Sequence, residues 1–139
     1  MPNDYYNLFL DDYRQPTDVK WIELPPVKWI VVKNYDEFIE TIKQRGMPAR
    51  ISLDHDTCPE HYAAYTDLHD ERFIGEKRIR YETFKEKTGY DVAKWLANYC
   101  IDRKLLIPEY YIHTLNPIGA MNIFSVLENA RIMLTENHN

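Results

Sequence analysis

The sequence predicts an α/β protein built on a mostly parallel, doubly wound sheet of about four strands flanked by helices. Short apolar runs typical of buried strands alternate with longer segments in which apolar residues recur every three or four positions. The connections between these runs have the length of crossovers, which join parallel strands. With 139 residues, the chain has the length of one domain, so we expect a single domain over residues 1–139.

Four runs rich in apolar, aromatic and β-branched residues predict the strands. They are residues 6–10, 29–32, 50–53 and 109–112. Between the first two strands, the segment 13–28 contains Pro16, Pro25 and Pro26 and has no helical period. We therefore expect an irregular connection there rather than a helix.

Three helices are expected after the second, third and fourth strands. The first is capped by Asn34 or by Tyr35-Asp36 and ends at Gly46; the second starts at Gly89. The third starts at Pro117, with Asn116 as its cap. Its buried side is expected to contain Ile118, Met121, Ile123, Phe124 and Leu127.

Residues 57–88 interrupt this alternation. The segment has no clean periodicity and mixes tyrosine, histidine and charged residues. We expect an insertion after the third strand, partly helical, that runs over the surface and could act as a lid.

Composition and charge exclude several classes of protein. The formal net charge of −5 argues against general binding of duplex nucleic acid through bulk electrostatics. The apolar runs are far shorter than the roughly 20 residues that span a bilayer, so no membrane protein is expected. The N-terminus has no signal-peptide pattern, which favours a cytoplasmic protein. Cys58 and Cys100 alone cannot form a disulfide framework or a zinc cluster.

Acidic residues follow two of the predicted strands. Asp11 and Asp12 follow the first strand, and Asp54 and Asp56 follow the third. Because ligands in such folds bind at the carboxyl ends of the strands, we expect these side chains to gather at one edge. Ionised carboxylates in one place repel each other unless a cation compensates them. Magnesium, which prefers carboxylate, water and phosphate oxygens, suits such a cluster.

His113 and Asn116 follow the fourth strand at the same edge. They precede the start of the third helix, where free N–H groups and the helix dipole favour an anion. Acids after a single strand are commonly loop or capping residues. Two acidic clusters at one edge favour a metal or phosphoryl site instead. His55 fits a structural histidine beside the third strand as well as it fits a site residue.

Four segments carry a further pattern, which consists of an acid pair, an acidic strand end, a Gly-x-Asp helix start and a His-x-x-Asn motif. They are Leu8-Phe9-Leu10-Asp11-Asp12, Ile51-Ser52-Leu53-Asp54-His55-Asp56, Thr88-Gly89-Tyr90-Asp91-Val92-Ala93 and His113-Thr114-Leu115-Asn116-Pro117-Ile118-Gly119. With these four segments in this order, the chain resembles the family of cyclic-phosphate processing receiver domains over residues 7 to about 129. The resemblance implies a receiver-like, flavodoxin-type sheet and a role in processing cyclic phosphates on RNA ends or nucleotides.

The resemblance also implies roles for individual residues. Asp11 and Asp12 are similar to the acidic pair that holds magnesium in receivers, and Asp54 is similar to the acid that accepts a phosphoryl group there. His113 and Asn116 stand where receivers usually carry a small hydroxyl residue. The chain differs from signalling receivers because it has no clear helix between the first two strands and no evident fifth strand ending in a lysine. These departures argue against a phospho-relay.

We therefore predict a metal-assisted phosphoesterase that acts on cyclic phosphates of RNA ends or nucleotides. Asp11, Asp12 and Asp54 would hold magnesium, with Asp56 as a fourth acid. His113 would protonate the leaving oxygen, and Asn116 would hydrogen-bond a non-bridging phosphate oxygen. A covalent phosphoryl intermediate on Asp54 is a second possible role for that residue. A counter-charge could come from the insertion, at Lys77, Arg78 and Arg80.

Two other functions stay open at the level of the sequence. One is a non-enzymatic, receiver-like regulatory module that accepts a phosphoryl group or binds a phosphorylated ligand or partner. The other is an acidic rim that binds a cation without chemistry. The expected partner is a phosphate-containing small molecule or an RNA end, and the sequence assigns no oligomeric state.

Overall fold

The structure is a computed structural model that describes residues 5–57 and 87–138. Within these ranges, four strands form one sheet: β1 (Asn7–Leu10), β2 (Ile30–Val32), β3 (Arg50–Leu53) and β4 (Glu109–Ile112). The order across the sheet is β2-β1-β3-β4, and all neighbouring strands are parallel. The predicted parallel α/β sheet of four strands is confirmed. The predicted insertion at 57–88 lies outside the described residues except at its two ends.

Three helices accompany the sheet: α1 (Tyr35–Arg45), α2 (Gly89–Arg103) and α3 (Pro117–His138). The Asn34 side chain accepts a hydrogen bond from the Glu37 N–H at the start of α1, and Gly46, with a φ of 87°, ends this helix. Each helix starts where the sequence predicts it. None of the helices in the described ranges is long and apolar enough to cross a bilayer.

The connection from β1 to β2 contains only a short 3-10 turn, Pro16–Asp18, as its regular structure. The prediction of an irregular segment is therefore confirmed. All three helices contribute to one hydrophobic cluster, which also contains Leu8, Leu10, Ile51 and Leu53 of the two central strands. Because successive side chains of a strand point to opposite faces, Phe9 and Ser52 lie on the other face of the sheet. The functional residues described below continue that second face.

The buried side of α3 differs from the predicted one. Ile123 and Leu127 are buried as predicted, but Ile118, Met121 and Phe124 are 54%, 71% and 52% exposed. The buried stripe of the helix follows the spacing of three and four residues from its cap and consists of Asn116, Gly119, Ile123, Leu127, Ala130 and Leu134. The first turn of α3 packs against the end of β3, and this contact fixes the rotation of α3 about its own axis. The pattern of apolar residues in the sequence does not show this contact.

Candidate functional site

Strand register explains why three distant residues meet. Leu53, the last residue of β3, is paired with the last residues of both neighbouring strands, Leu10 of β1 and Ile112 of β4. Asp11, Asp54 and His113 are the residues that follow directly. The ladder continues through them, because the Asp54 N–H donates to the Leu10 carbonyl at 3.1 Å and the His113 N–H donates to the Leu53 carbonyl at 3.0 Å. The three side chains therefore start at the same level of the sheet and on the same face.

Asp11, Asp54 and His113 form a compact and buried group. One ligand atom from each residue lies within 4.8 Å of the ligand atoms of the other two. Asp11 and Asp54 are each 1% exposed, and His113 is fully buried. Within the described ranges this is the one group of at least three such residues that could hold a metal ion. The two carboxylates supply oxygen ligands of the kind that hard divalent cations accept.

Both carboxylate oxygens of Asp11 have partners. Its Oδ1 accepts hydrogen bonds from the backbone N–H groups of Tyr13 at 3.1 Å and Arg14 at 2.9 Å, and its Oδ2 lies 3.0 Å from His113 Nε2. Burial raises the pKa of Asp11, but the hydrogen bonds from His113 and from the two backbone groups outweigh burial and hold the pKa below its ordinary value. Asp11 is therefore ionised at neutral pH.

His113 is fixed from several sides. Its ring stacks on Phe9 with centroids 4.3 Å apart, its Nδ1 lies 2.7 Å from Ser52 Oγ, and its carbonyl accepts from Trp21 Nε1 at 2.8 Å. Burial lowers the pKa of His113 and outweighs the opposing effect of the hydrogen bond with Asp11, so the ring is neutral at pH 7. Because a carboxylate only accepts, Nε2 carries the proton, and Nδ1 accepts from the Ser52 hydroxyl.

His113 contacts both Ser52 and Asp11, and these three residues are of the types that form a Ser-His-Asp catalytic triad. In a serine hydrolase the hydroxyl contacts Nε2 and the acid contacts Nδ1, whereas here the two nitrogens are exchanged. Ser52 is also fully buried inside the sheet. Its hydroxyl therefore orients the imidazole from within the sheet.

Arg14 supplies the positive charge beside the two carboxylates. Its Nη1 lies 3.3 Å from Asp11 Oδ2 and 3.7 Å from Asp54 Oδ2, and its side chain is only 11% exposed. The guanidinium carbon lies 4.7 Å from the centre of the Tyr13 ring and 5.3 Å from that of Trp21. Arginine is weakly hydrated and stacks on aromatic rings, so these contacts hold the charge at the site.

A second polar cluster lies beside the first. Asp56 is 3% exposed, and its carboxylate lies 3.0 Å from His55 Nδ1 and accepts from Asn116 Nδ2 at 3.2 Å. Asn116 Oδ1 in turn caps α3 by accepting from the Gly119 N–H at 3.0 Å. A Cβ on Gly119 would come 2.4 Å from His55 Cγ, so only glycine permits this close packing. The second cluster thus docks α3 against the end of β3.

The predicted site residues therefore fall into two groups. Asp11, Asp54 and His113 meet, whereas Asp56 and Asn116 contact each other in the neighbouring cluster. Asp12 is half-buried and is not among the three residues of the metal-competent group. The basic residues proposed as counter-charges, Lys77, Arg78 and Arg80, lie outside the described residues.

Gly89 places the first turn of α2 against the carboxyl end of β3. Its N–H donates to the His55 carbonyl at 2.8 Å. A Cβ at this position would lie 1.9 Å from the Asp54 carbonyl oxygen, a distance at which no side chain fits. Asp54 Oδ1 also accepts from the His55 N–H at 2.9 Å. The backbone around Asp54 is thus fixed by both the strand and the following helix.

Arg14, Ser52 and Trp21 were not among the site residues predicted from the sequence. Arg14 and Ser52 both had a signal in the chain: Arg14 follows the Asp11-Asp12 pair by two residues, and Ser52 is a polar residue inside an apolar strand, two positions before Asp54. The alternation of side chains along a strand would have placed Ser52 on the same face as Asp54. Trp21, in the irregular connection, had no signal that pointed to His113.

The sequence profile described as the cyclic-phosphate processing receiver domain matches residues 6–129. No curated protein and no solved structure matches the chain.

Proposed function

The chain belongs to the family of cyclic-phosphate processing receiver domains, and from this premise we propose that it is a metal-assisted phosphoesterase that opens cyclic phosphates of nucleotides or RNA ends. The convergence of Asp11, Asp54 and His113 within 4.8 Å carries the proposal. A general cyclic-phosphate role follows from the family, whereas the hydrolytic reaction and its residues are the proposal.

The buried carboxylates fit a divalent cation. Asp11 and Asp54 would hold Mg²⁺ through oxygen atoms, which are the ligands that this ion prefers. The predicted contribution of Asp12 and Asp56 to metal binding remains part of the proposal; the Asp56 carboxylate has His55 and Asn116 as partners in this structure. When bound, the ion polarises phosphate oxygens and lowers the pKa of water.

The protein's own groups would handle the protons of the reaction. Hydrolysis joins a water oxygen to phosphorus and breaks one bond from phosphorus to a ribose oxygen. The attacking water loses a proton, which the Asp54 carboxylate would accept, and the leaving oxygen gains one. The donor would be His113 as the imidazolium, formed when the neutral ring takes up a proton as the anionic substrate binds; the Nε2 proton would then go to the leaving oxygen.

Other residues would orient the reacting groups. Ser52 keeps the His113 ring in one orientation through Nδ1. The predicted contact of Asn116 with a non-bridging phosphate oxygen remains part of the proposal; its Nδ2 and Oδ1 both have protein partners in this structure. Because Asn116 holds Asp56 and caps α3, its substitution would also disturb the wall of the site.

The test is hydrolysis of nucleoside 2′,3′-cyclic phosphates by the purified protein, with Mg²⁺ and with a chelator. We expect turnover that needs the metal and that Asp54→Ala abolishes. Asp102→Ala, an exposed acid near the far end of α2, serves as the matched control and should keep full activity. Turnover that survives chelation or Asp54→Ala would reject the metal role.

The regulatory alternative has its own readout. Incubation with a small phosphoryl donor, followed by intact mass measurement, distinguishes the two functions. A stable adduct on Asp54 without turnover would identify a phospho-accepting module, and turnover without an adduct supports hydrolysis.

A further inference from the structure

The Arg14 guanidinium lies beside the same carboxylate oxygens to which a divalent cation would bind at this site. Its Nη1 approaches one oxygen from each acid, Asp11 Oδ2 at 3.3 Å and Asp54 Oδ2 at 3.7 Å. These are the two carboxylates proposed to hold the metal. Two positive charges at the same oxygens repel each other, so the guanidinium and the cation compete.

The contacts of Arg14 with the two acids are long for arginine–carboxylate pairs, whose strong forms are bidentate with distances of about 2.7–2.9 Å. Nη1 approaches one oxygen of Asp11 and one of Asp54, so a single nitrogen lies near both carboxylates. The guanidinium therefore offsets the negative charge of both acids from one position.

The surroundings of Arg14 keep the guanidinium close when it leaves the carboxylates. The Tyr13 and Trp21 rings lie 4.7 Å and 5.3 Å from its guanidinium carbon. Trp21 is anchored through its indole N–H to the His113 carbonyl at 2.8 Å, and the Arg14 backbone is tied to Asp11 Oδ1. Displacement by a cation would thus move the guanidinium by a short distance and not into bulk solvent.

We propose that Arg14 is the phosphate-binding side chain of this site and that it exchanges the carboxylates of Asp11 and Asp54 for phosphate oxygens when a divalent cation binds. This inference rests on the proposed function. The planar fork of arginine matches two phosphate oxygens, and in the phosphate complex its charge would face an anion instead of the metal. The positively charged side chain that binds phosphate would thus come from the connection after β1.

The variant Arg14→Met should change the affinities for Mg²⁺ and for phosphate in opposite directions. Arg14→Met removes the competing charge, so Mg²⁺ alone should bind about tenfold more tightly. The same variant lacks the fork, so inorganic phosphate at saturating Mg²⁺ should bind at least about tenfold more weakly. Isothermal titration calorimetry measures both affinities without any turnover.

The matched control is Arg103→Met. Arg103 also stacks on an aromatic ring, with its guanidinium carbon 3.8 Å from the centre of Tyr99, but it ends α2, some 20 Å along the helix from Gly89. This control should leave both affinities unchanged. A second variant, Arg14→Gln, keeps a polar side chain and should shift both affinities in the same directions as Arg14→Met.

The possible outcomes separate this inference from the proposed function. Unchanged or weaker Mg²⁺ binding in both Arg14 variants, or unchanged phosphate binding, would overturn the role of Arg14 even if the wild type hydrolyses cyclic phosphates. Opposite shifts in the two affinities would support that role even if the wild type hydrolyses none, in which case the proposed reaction alone fails.

Discussion

Nε2 of His113 lies 3.0 Å from Oδ2 of Asp11, although the two residues are 102 positions apart in the chain. Both side chains are buried, and each follows the last residue of a parallel strand. The contact exists because parallel strands in register present their next residues side by side. It also couples the protonation of the two residues to folding.

The metal-free protein should lose stability as the pH falls from neutral. The folded pKa of His113 lies below its ordinary value of 6.5, so the unfolded chain binds more protons below that pH. Stability is therefore complete above pH 6.5 and is lost as the pH falls toward the folded pKa. The folded pKa of Asp11 lies below 3.8, which adds a further loss in more acidic solution. Thermal unfolding with a chelator between pH 7.5 and pH 3 measures both effects.

The variant His113→Asn is the control for this pH dependence. It removes the titrating ring, so its melting temperature should depend less steeply on pH between 6.5 and the acid range. Parallel curves for the variant and the wild type would show that another group causes the loss.

Ser52→Ala should destabilise the protein by about 1–3 kcal/mol, because Nδ1 of the buried His113 loses its partner. Urea unfolding measures the change. Ser125→Ala, at an exposed position of α3, should stay within about 0.5 kcal/mol of the wild type. Equal stability of both variants would mean that the Ser52 hydroxyl does not hold the ring.

Asp54→Asn should separate metal binding from folding. Without metal, the carboxylates of Asp11 and Asp54 lie close together, so loss of one negative charge should relieve their repulsion and leave the melting temperature equal or higher. Mg²⁺ at a hundred times its dissociation constant should stabilise the wild type by about 2.7 kcal/mol, and this gain should disappear in the variant. Equal Mg²⁺ stabilisation in both proteins would place the ion elsewhere; Asp102→Asn is the matched control.

Gly89→Ala should cost more than about 2 kcal/mol of folding free energy, since its Cβ would overlap the Asp54 carbonyl oxygen. Chemical unfolding measures the loss. Asn98→Ala on the exposed side of the same helix should change little. A stable Gly89→Ala protein would mean that α2 can move away from the strand end at small cost.

Much of the fold was predictable because it depends on local patterns. The strands of a parallel sheet are covered on both faces, so they consist of short apolar runs that the sequence shows directly. Asn34, Gly89 and Asn116 indicated where the helices begin. The rotation of α3 was not predictable from its pattern. Contacts of its first turn with His55 and Asp56 set that rotation, and they depend on the tertiary structure.

Those site residues that directly follow a strand were predictable, because the carboxyl ends of parallel strands lie side by side. Asp11, Asp54 and His113 were found because each directly follows a predicted strand. Arg14 was missed because a charge in an irregular connection has no periodicity that indicates where it points. The position of Arg14 depends on two aromatic rings, one of which is Trp21. Trp21 is itself anchored by His113, a residue far away in the chain.

The most direct test of the account is the location of a bound ion in crystals soaked with Mn²⁺, read by anomalous diffraction. We predict an anomalous peak within about 2.5 Å of carboxylate oxygens of both Asp11 and Asp54, with the Arg14 guanidinium displaced from them. At saturating Mn²⁺, an unaltered Arg14 contact and no peak between the two aspartates would contradict the central claim.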